Sequence, residues 1–216
     1  MEGTPAPRLR DQRAQETRAR LVQAATELVL AHGWRATTVA QIAERAGVAK
    51  GTFFVHFPTK EAVVLALMQL QIATAMRARD DAEAAGKTPV ERLRVATMSL
   101  GAQVDRHLEL SRAVLVASLE SRDVGAGGGE VFGQLLAKMI ADAKEARRLG
   151  LVAGVEPETL ANQLMASYLG AALHCTSYPG AKPVPEVLGP LVDATLAQAS
   201  ARVPAPKRAT KSRPRR

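Results

Sequence analysis

The chain reads as a succession of apolar stripes at helical spacing. Between Thr17 and His32, the residues Leu21, Ala24, Ala25 and Leu28 share one face, three or four positions apart as a 3.6-residue period demands. Gly33 follows as a stop. Val39, Ile42, Ala43 and Ala46 repeat the i, i+3, i+4, i+7 pattern on a shorter segment. At its start Thr38 and Gln41 are spaced as a capping box, each able to satisfy a free N–H of the first turn. Gly47 ends it. A third short helix is predicted from about Ala49 to His56, two residues later. Pro58 interrupts the pattern, and Thr59 caps a long helix predicted from about Lys60 to Ala84 and closed by Gly86.

The next start carries Thr88, Pro89 and Glu91: a cap, a proline at the first helical position and a capping-box glutamate. That helix should reach about His107, with another from about Leu110 to Arg122. Gly125, Ala126, Gly127, Gly128 and Gly129 read as a flexible break. A helix from about Glu130 to Leu149 ends at Gly150, with Lys144, Arg147 and Arg148 where cations suit its dipole. Two more are predicted, from Pro157 to about Cys175 and from about Pro185 to Ala201. Pro190 should either kink the second or delay its start. From Val203 onward Pro, Ala and basic residues alternate, the composition of a disordered tail. Alternating strand patterns are scarce. The expected fold is all-α, with about nine helices.

Composition narrows the class. Apolar residues make up 47% and charged residues 23% of the 216, which suits a globular chain with a buried core. No apolar run approaches the ~18 residues of a membrane span, and the N-terminus lacks a secretory apolar region. The lone Cys175 leaves no disulfide framework and no multi-thiolate metal site. A cytoplasmic location, no membrane partner and no metal or other cofactor are therefore expected. The net charge of +8 sits at the ends: five Arg against three acids in residues 1–20, and six basic residues without an acid in 203–216, leaving a neutral body. Basic ends on a neutral body fit a nucleic-acid partner, or serve only as solubilising segments.

The three short helices, with a tight turn between the second and third, have the arrangement of a helix-turn-helix. The third would stand across the second and enter a major groove by its N-terminal residues. Gly51 lets the backbone approach closely, Thr52 offers a hydroxyl to phosphate or base, and Lys50 offers charge. Lys60 begins the following helix, where an ammonium and free N–H groups meet. The stretch GWRATTVAQIAERAGVAKGTFFVHFPTKEAVV, residues 33–64, resembles the DNA-binding head of the TetR family of bacterial transcriptional regulators. Its matching pieces are Gly33-Trp34, Thr37-Thr38-Val39, Ile42-Ala43, Ala46-Gly47-Val48, Gly51-Thr52, His56-Phe57 and Lys60-Glu61. With the leading helix the resemblance covers about residues 17–70; beyond that only the helical character is shared.

The resemblance implies that Thr38, Lys50, Thr52, Phe54, His56 and Lys60 lie at a DNA surface. Position 54 departs from the family's usual Tyr, so a hydroxyl bond to phosphate is lost there, while contact with a sugar or thymine methyl remains open. Phe53, Phe57 and Trp34 read as packing residues; His56 is either a phosphate ligand or a structural histidine. Arg8, Arg10 and Arg13 lie in a basic arm that either enters a minor groove or stays solvated. The resemblance further implies a homodimer, a palindromic double-stranded DNA operator, and an effector pocket in the body for a small apolar molecule. Such a pocket would draw on Met68, Met98, Met139 and Met165, although methionines at helical spacing are commonly core. The wide apolar arc after Pro157 calls for burial on more than one side. It places Leu160, Leu164 and Tyr168, with Leu188, Leu191, Val192 and Thr195 of the last helix, as dimer-interface candidates.

The predicted organisation is a flexible basic arm (1–16), a helix-turn-helix domain (17–62, with the motif at 38–57), an effector-binding and dimerisation domain (63–202) and a basic tail (203–216). Catalysis is not expected: His32, His56, His107 and His174 are scattered, and no metal, phosphate-loop or nucleophile motif occurs. The expected function is sequence-specific transcriptional regulation, most simply as a repressor released by its effector. Two alternatives stay open, a redox sensor acting through Cys175 and a sequence-indifferent DNA binder.

Overall fold

The computed structural model describes residues 9–120, 122–178 and 180–201, with backbone alone at 114, 116–120 and 122–131. The described residues form nine helices and no strand: α1 (Leu9–His32), α2 (Val39–Arg45), α3 (Lys50–His56), α4 (Glu61–Ala84), α5 (Pro89–Arg106), α6 (Leu108–Glu120), α7 (Arg122–Arg148), α8 (Pro157–Ser177) and α9 (Val184–Ser200). The all-α reading holds. None of these helices is long and apolar enough to cross a membrane.

Three departures from the sequence reading have physical causes. Helix α1 begins at Leu9, so Arg10 and Arg13 are exposed residues of a helix and not of a flexible arm. The segment before Thr17 is built of good helix formers, and extending a nucleated helix is easy. Arg8 and the tail 203–216 lie outside the described residues. Second, α7 runs unbroken through Gly125–Gly129, where a break was expected. Glycine costs about 1 kcal/mol in a helix without forbidding it, and the downstream turns are anchored by the fully buried Leu135, Met139, Ala143 and Ala146. Third, of the two outcomes expected at Pro190 the delayed start does not occur: α9 starts at Val184 and passes through the proline. Only one backbone donor is lost, while Leu188, Val192, Leu196 and Ala199 stay buried on the opposite side.

Helices α1–α3 form a small head whose core is Leu21, Ala25, Val29, Ile42, Ala43, Phe53 and Phe57. Helix α1 also packs on α4 and α6, which ties the head to the body. In the body α4, α5, α7, α8 and α9 enclose a continuous apolar core. Helices α5 and α9 approach closely at Gly101, where a Cβ would lie 2.7 Å from Leu188 Cδ2.

A buried ionic cluster joins α4, α5 and α7. Asp142, 1% exposed, accepts from Arg79 Nε at 2.8 Å and Nη2 at 2.5 Å, and its Oδ1 lies 2.9 Å from Arg92 Nε. Arg79 also pairs with Asp80 and Glu83, Arg92 with Glu145, and Lys138 with Asp80 at 2.6 Å. Three basic and four acidic groups thus face one another across three helices, with one acid in excess. The sequence pattern held no sign of the bonds between helices, because partners such as Arg79 and Asp142, sixty-three residues apart, share no local spacing.

Candidate nucleic-acid interface

The site grows from the turn at residues 46–49. Thr38 Oγ1 accepts the Gln41 N–H at 3.3 Å, while Gln41 Oε1 accepts the Thr38 N–H at 2.8 Å and its hydroxyl at 2.9 Å. The capping box read from the sequence is present, and it occupies the Thr38 hydroxyl at the start of α2. At the other end Gly47 takes φ +67°, and the Gly47 and Val48 N–H groups donate to Glu44 and Ala43 carbonyls, both at 3.0 Å. A side chain at that φ would be strained. The chain reverses there and leaves on the axis of α3. An ion pair between Arg45 and Glu27 at 2.7 Å braces α2 on α1.

Helix α3 is held by one side only. Phe53 and Phe57, four residues apart and therefore stacked on one face, are fully buried with ring centroids 5.6 Å apart. The guanidinium of Arg18 lies 4.7 Å from the Phe57 centroid. Both rings are packing residues. The opposite side carries Lys50, Gly51, Phe54 and Val55, all exposed, flanked by the half-buried Thr52 and His56. Phe54 stands edge-on to Phe53 at 5.4 Å and 83°, so its ring is braced although 47% exposed. Val55, 81% exposed, was not singled out by the sequence reading. The available signal was its place four residues after Gly51, two off the Phe53–Phe57 row.

Lys60 is placed differently from the other candidates. Its Nζ donates to the Trp34 carbonyl at 2.7 Å and sits 4.2 Å from the Trp34 ring centroid. Burial pulls its pKa down, opposed by Glu61. Lys60 thus fastens the α1–α2 connection to the start of α4, where Thr59 Oγ1 accepts the Ala62 N–H at 3.2 Å. Trp34 is half-buried against the core, as a packing residue should be.

The body candidates fare unevenly. Met68, Met139 and Met165 are buried and Met98 is half-buried, all within the apolar core. A cleft of about 380 Å³ opens between the His32–Ala36 segment and Glu109, Arg112 and Ala113 of α6; none of the four methionines lines it. Of the dimer candidates, Leu160, Leu164, Leu188 and Val192 are fully buried against their own chain's helices and Tyr168 is nearly so. Of the named set, Leu191 is exposed, and Thr195 is half-buried with its hydroxyl donating to the Leu191 carbonyl at 2.8 Å. The outward row on α8 is Ala166, Leu169, Gly170 and Leu173. Helix α8 is apolar over so wide an arc that its own core takes most of it, Leu160, Ala161, Leu164, Met165, Tyr168 and Ala172 included. Burial pushes the Tyr168 phenol up to about 12. It also raises the pKa of the buried Cys175 thiol, with a smaller push from Asp105. Among the described residues no group of His, Cys, Asp and Glu is placed to hold a metal ion.

Residues 21–67 match the family model of bacterial regulatory proteins, tetR family. The transcriptional regulator TcmR of Streptomyces glaucescens is 39% identical over 104 residues, 48% of this chain and 46% of that protein. The transcriptional repressor KstR of Mycolicibacterium smegmatis is 29% identical over 128 residues, 59% and 63% of the two chains. The matches therefore span less than two thirds of these relatives' own lengths. Among solved structures, Thermus thermophilus FadR, a TetR-family transcriptional repressor in complex with lauroyl-CoA, superposes with a TM-score of 0.72 at 28% identity, covering 88% of this chain and 98% of that one. Head and body alike have the TetR fold.

Proposed function

We propose, for a chain with a TetR-family head on a TetR-family fold, that it is a homodimeric transcriptional regulator that binds a palindromic operator and acts as a repressor released by a small apolar effector. The observation that carries this reading is α3: pinned by Phe53 and Phe57 on one side, it offers Lys50, Gly51, Phe54 and Val55 to solvent on the other. A rod held in this way fits a major groove. Lys50 supplies charge for a phosphate; Thr52 and His56 border the contact face. Lys60, seated on Trp34, contributes by fixing the head and reaches phosphate only with its remaining N–H bonds.

Dimerisation would use the outward row of Leu169 and Leu173 on α8 with Leu191 of α9, the exposed apolar residues of those helices. Two heads then read two half-sites one helical turn, ~34–36 Å, apart or a multiple of it. The FadR likeness supports an effector with a long apolar portion, taken up by a body walled mainly with Leu, Ala, Val and Met. A ligand that binds better to a body conformation with altered head spacing shifts the equilibrium away from DNA. The relatives are regulators, which supports a role without catalysis. A redox role for Cys175 has no support: burial raises its pKa, the reverse of what a reactive thiol needs.

The test is selection of bound duplexes from random DNA by the full chain. A palindromic consensus is expected; retention without sequence preference would leave only the non-specific DNA-binding alternative.

A further inference from the structure

We infer that Gly51 and Val55 together read a thymine by its 5-methyl group, so that operator choice rests on apolar contact more than on hydrogen bonds to base edges. The inference rests on the operator-binding reading above. Helix α3 is Lys-Gly-Thr-Phe-Phe-Val-His; of the side chains that pair bidentately with guanine or adenine edges (Arg, Lys, Asn and Gln) it carries Lys50 alone. Its outward face is apolar except at Lys50 in its first turn. Val55 is the most exposed large apolar residue of the described chain at 81%.

Gly51 supplies the other half. Helical side chains lean toward the N-terminus, in the direction of the residue four positions earlier, so Val55 shares the outward face with Gly51, one turn away. A Cβ built on Gly51 meets nothing within 4 Å, and its φ lies outside the left-handed region. No packing or backbone constraint therefore requires glycine here, and it is a poor residue inside a helix. What its absent side chain does provide is open space over bare backbone, with Val55 one turn further along the same face. The base feature that protrudes into the major groove and is apolar is the thymine methyl. A methyl seated in that space would cover Val55 and leave its own base edge free of polar demands. Phe54, braced on Phe53, lies on the same exposed face.

The test uses full-length protein and the operator obtained by selection, with each thymine of a half-site replaced in turn by deoxyuridine, which removes only the methyl. At one or two positions the replacement should weaken wild-type binding by about fourfold per half-site, about fifteenfold when both halves are changed, the scale of one buried methyl group. Val55→Ala and the near-isosteric Val55→Thr should bind the thymine operator more weakly and lose that sensitivity. Gly51→Ala should fill the space and also lose it. All three variants sit on the exposed face, and unchanged circular dichroism and melting would verify folding. Wild-type binding indifferent to every thymine-to-deoxyuridine change, or a methyl effect that persists undiminished in Val55→Thr, would overturn the inference while leaving the operator-binding reading intact. Failure to select any sequence would instead strike that reading itself.

Discussion

Replacing Asp142 by Asn should reveal how much the body depends on its buried charges. The carboxylate is 1% exposed and is held by Arg79 at 2.8 and 2.5 Å, with Arg92 Nε at 2.9 Å. Both arginines are themselves at most 7% exposed. An amide of the same size keeps the packing but removes the negative charge between them, and turns one oxygen into a donor facing a guanidinium. Breaking a buried pair costs about 3–5 kcal/mol, because the remaining charge stays desolvated. Here the loss is softened, since Arg79 keeps Asp80 and Glu83 and Arg92 keeps Glu145. A cost of about 2–4 kcal/mol follows, and at ~2–4 °C per kcal/mol for a chain of this size the melting temperature should fall by about 5–15 °C. Asp193→Asn is the internal control. Its partner Arg94, at 2.8 Å, is half-exposed on the surface, and such pairs contribute at most about 1 kcal/mol. Urea denaturation of both variants measures the two costs side by side. An Asp142→Asn loss below about 1 kcal/mol, or one no larger than that of Asp193→Asn, would refute the view that this carboxylate holds α7 to α4 and α5.

Other consequences are equally direct. Gly51→Ala should raise stability by up to about 1 kcal/mol, as alanine does in helices, while lowering operator affinity; urea melts and gel-shift titrations read the two effects separately. Phe54→Tyr adds a hydroxyl at the exposed rim of α3 and should tighten DNA binding about threefold to tenfold, the scale of one net hydrogen bond, without moving the melting temperature. Leu169→Glu combined with Leu173→Glu should yield monomers by light scattering with helix content retained, because both side chains are exposed in the single chain. Glu91 is held down to about 2 by the Thr88 N–H first, then by the Thr88 hydroxyl and Lys87. A carboxyl depressed on folding contributes stability fully above its ordinary value of 4.5 and loses it as pH falls toward 2. Glu91→Gln should therefore flatten the acid limb of the stability curve in that window and change little at pH 2.

The head was legible because its determinants are local. Thr38 and Gln41 announce a cap three residues apart, Gly47 announces a reversal, and Phe53 and Phe57 four apart announce a buried side; each signal and its structural consequence lie within one turn of helix. What escaped depends on which surfaces meet at long range. The wide apolar arc of α8 signalled burial on more than one side, but its outward row of Ala166, Leu169 and Leu173 could not be picked out until α8 had neighbours. The pairing of Lys60 with Trp34 spans twenty-six residues and diverts a residue whose position alone suggests a free ammonium. The Arg79–Asp142 pair spans sixty-three, beyond any periodicity. Conversely, the glycines at 125–129 show a local signal overruled, since a helix packed further along extends through poor helix formers.

The account turns on α3 being an outward rod presented twice by one assembly. Footprinting of the full chain on a selected duplex, with the mass of the complex taken in parallel, addresses this most directly. Two protected major-groove segments related by a two-fold, their centres one helical turn or a whole multiple apart, with two chains per duplex, are the result predicted. A single protected segment with one chain bound, or protection unchanged when Lys50, Phe54 and Val55 are all replaced by Ala, would contradict it.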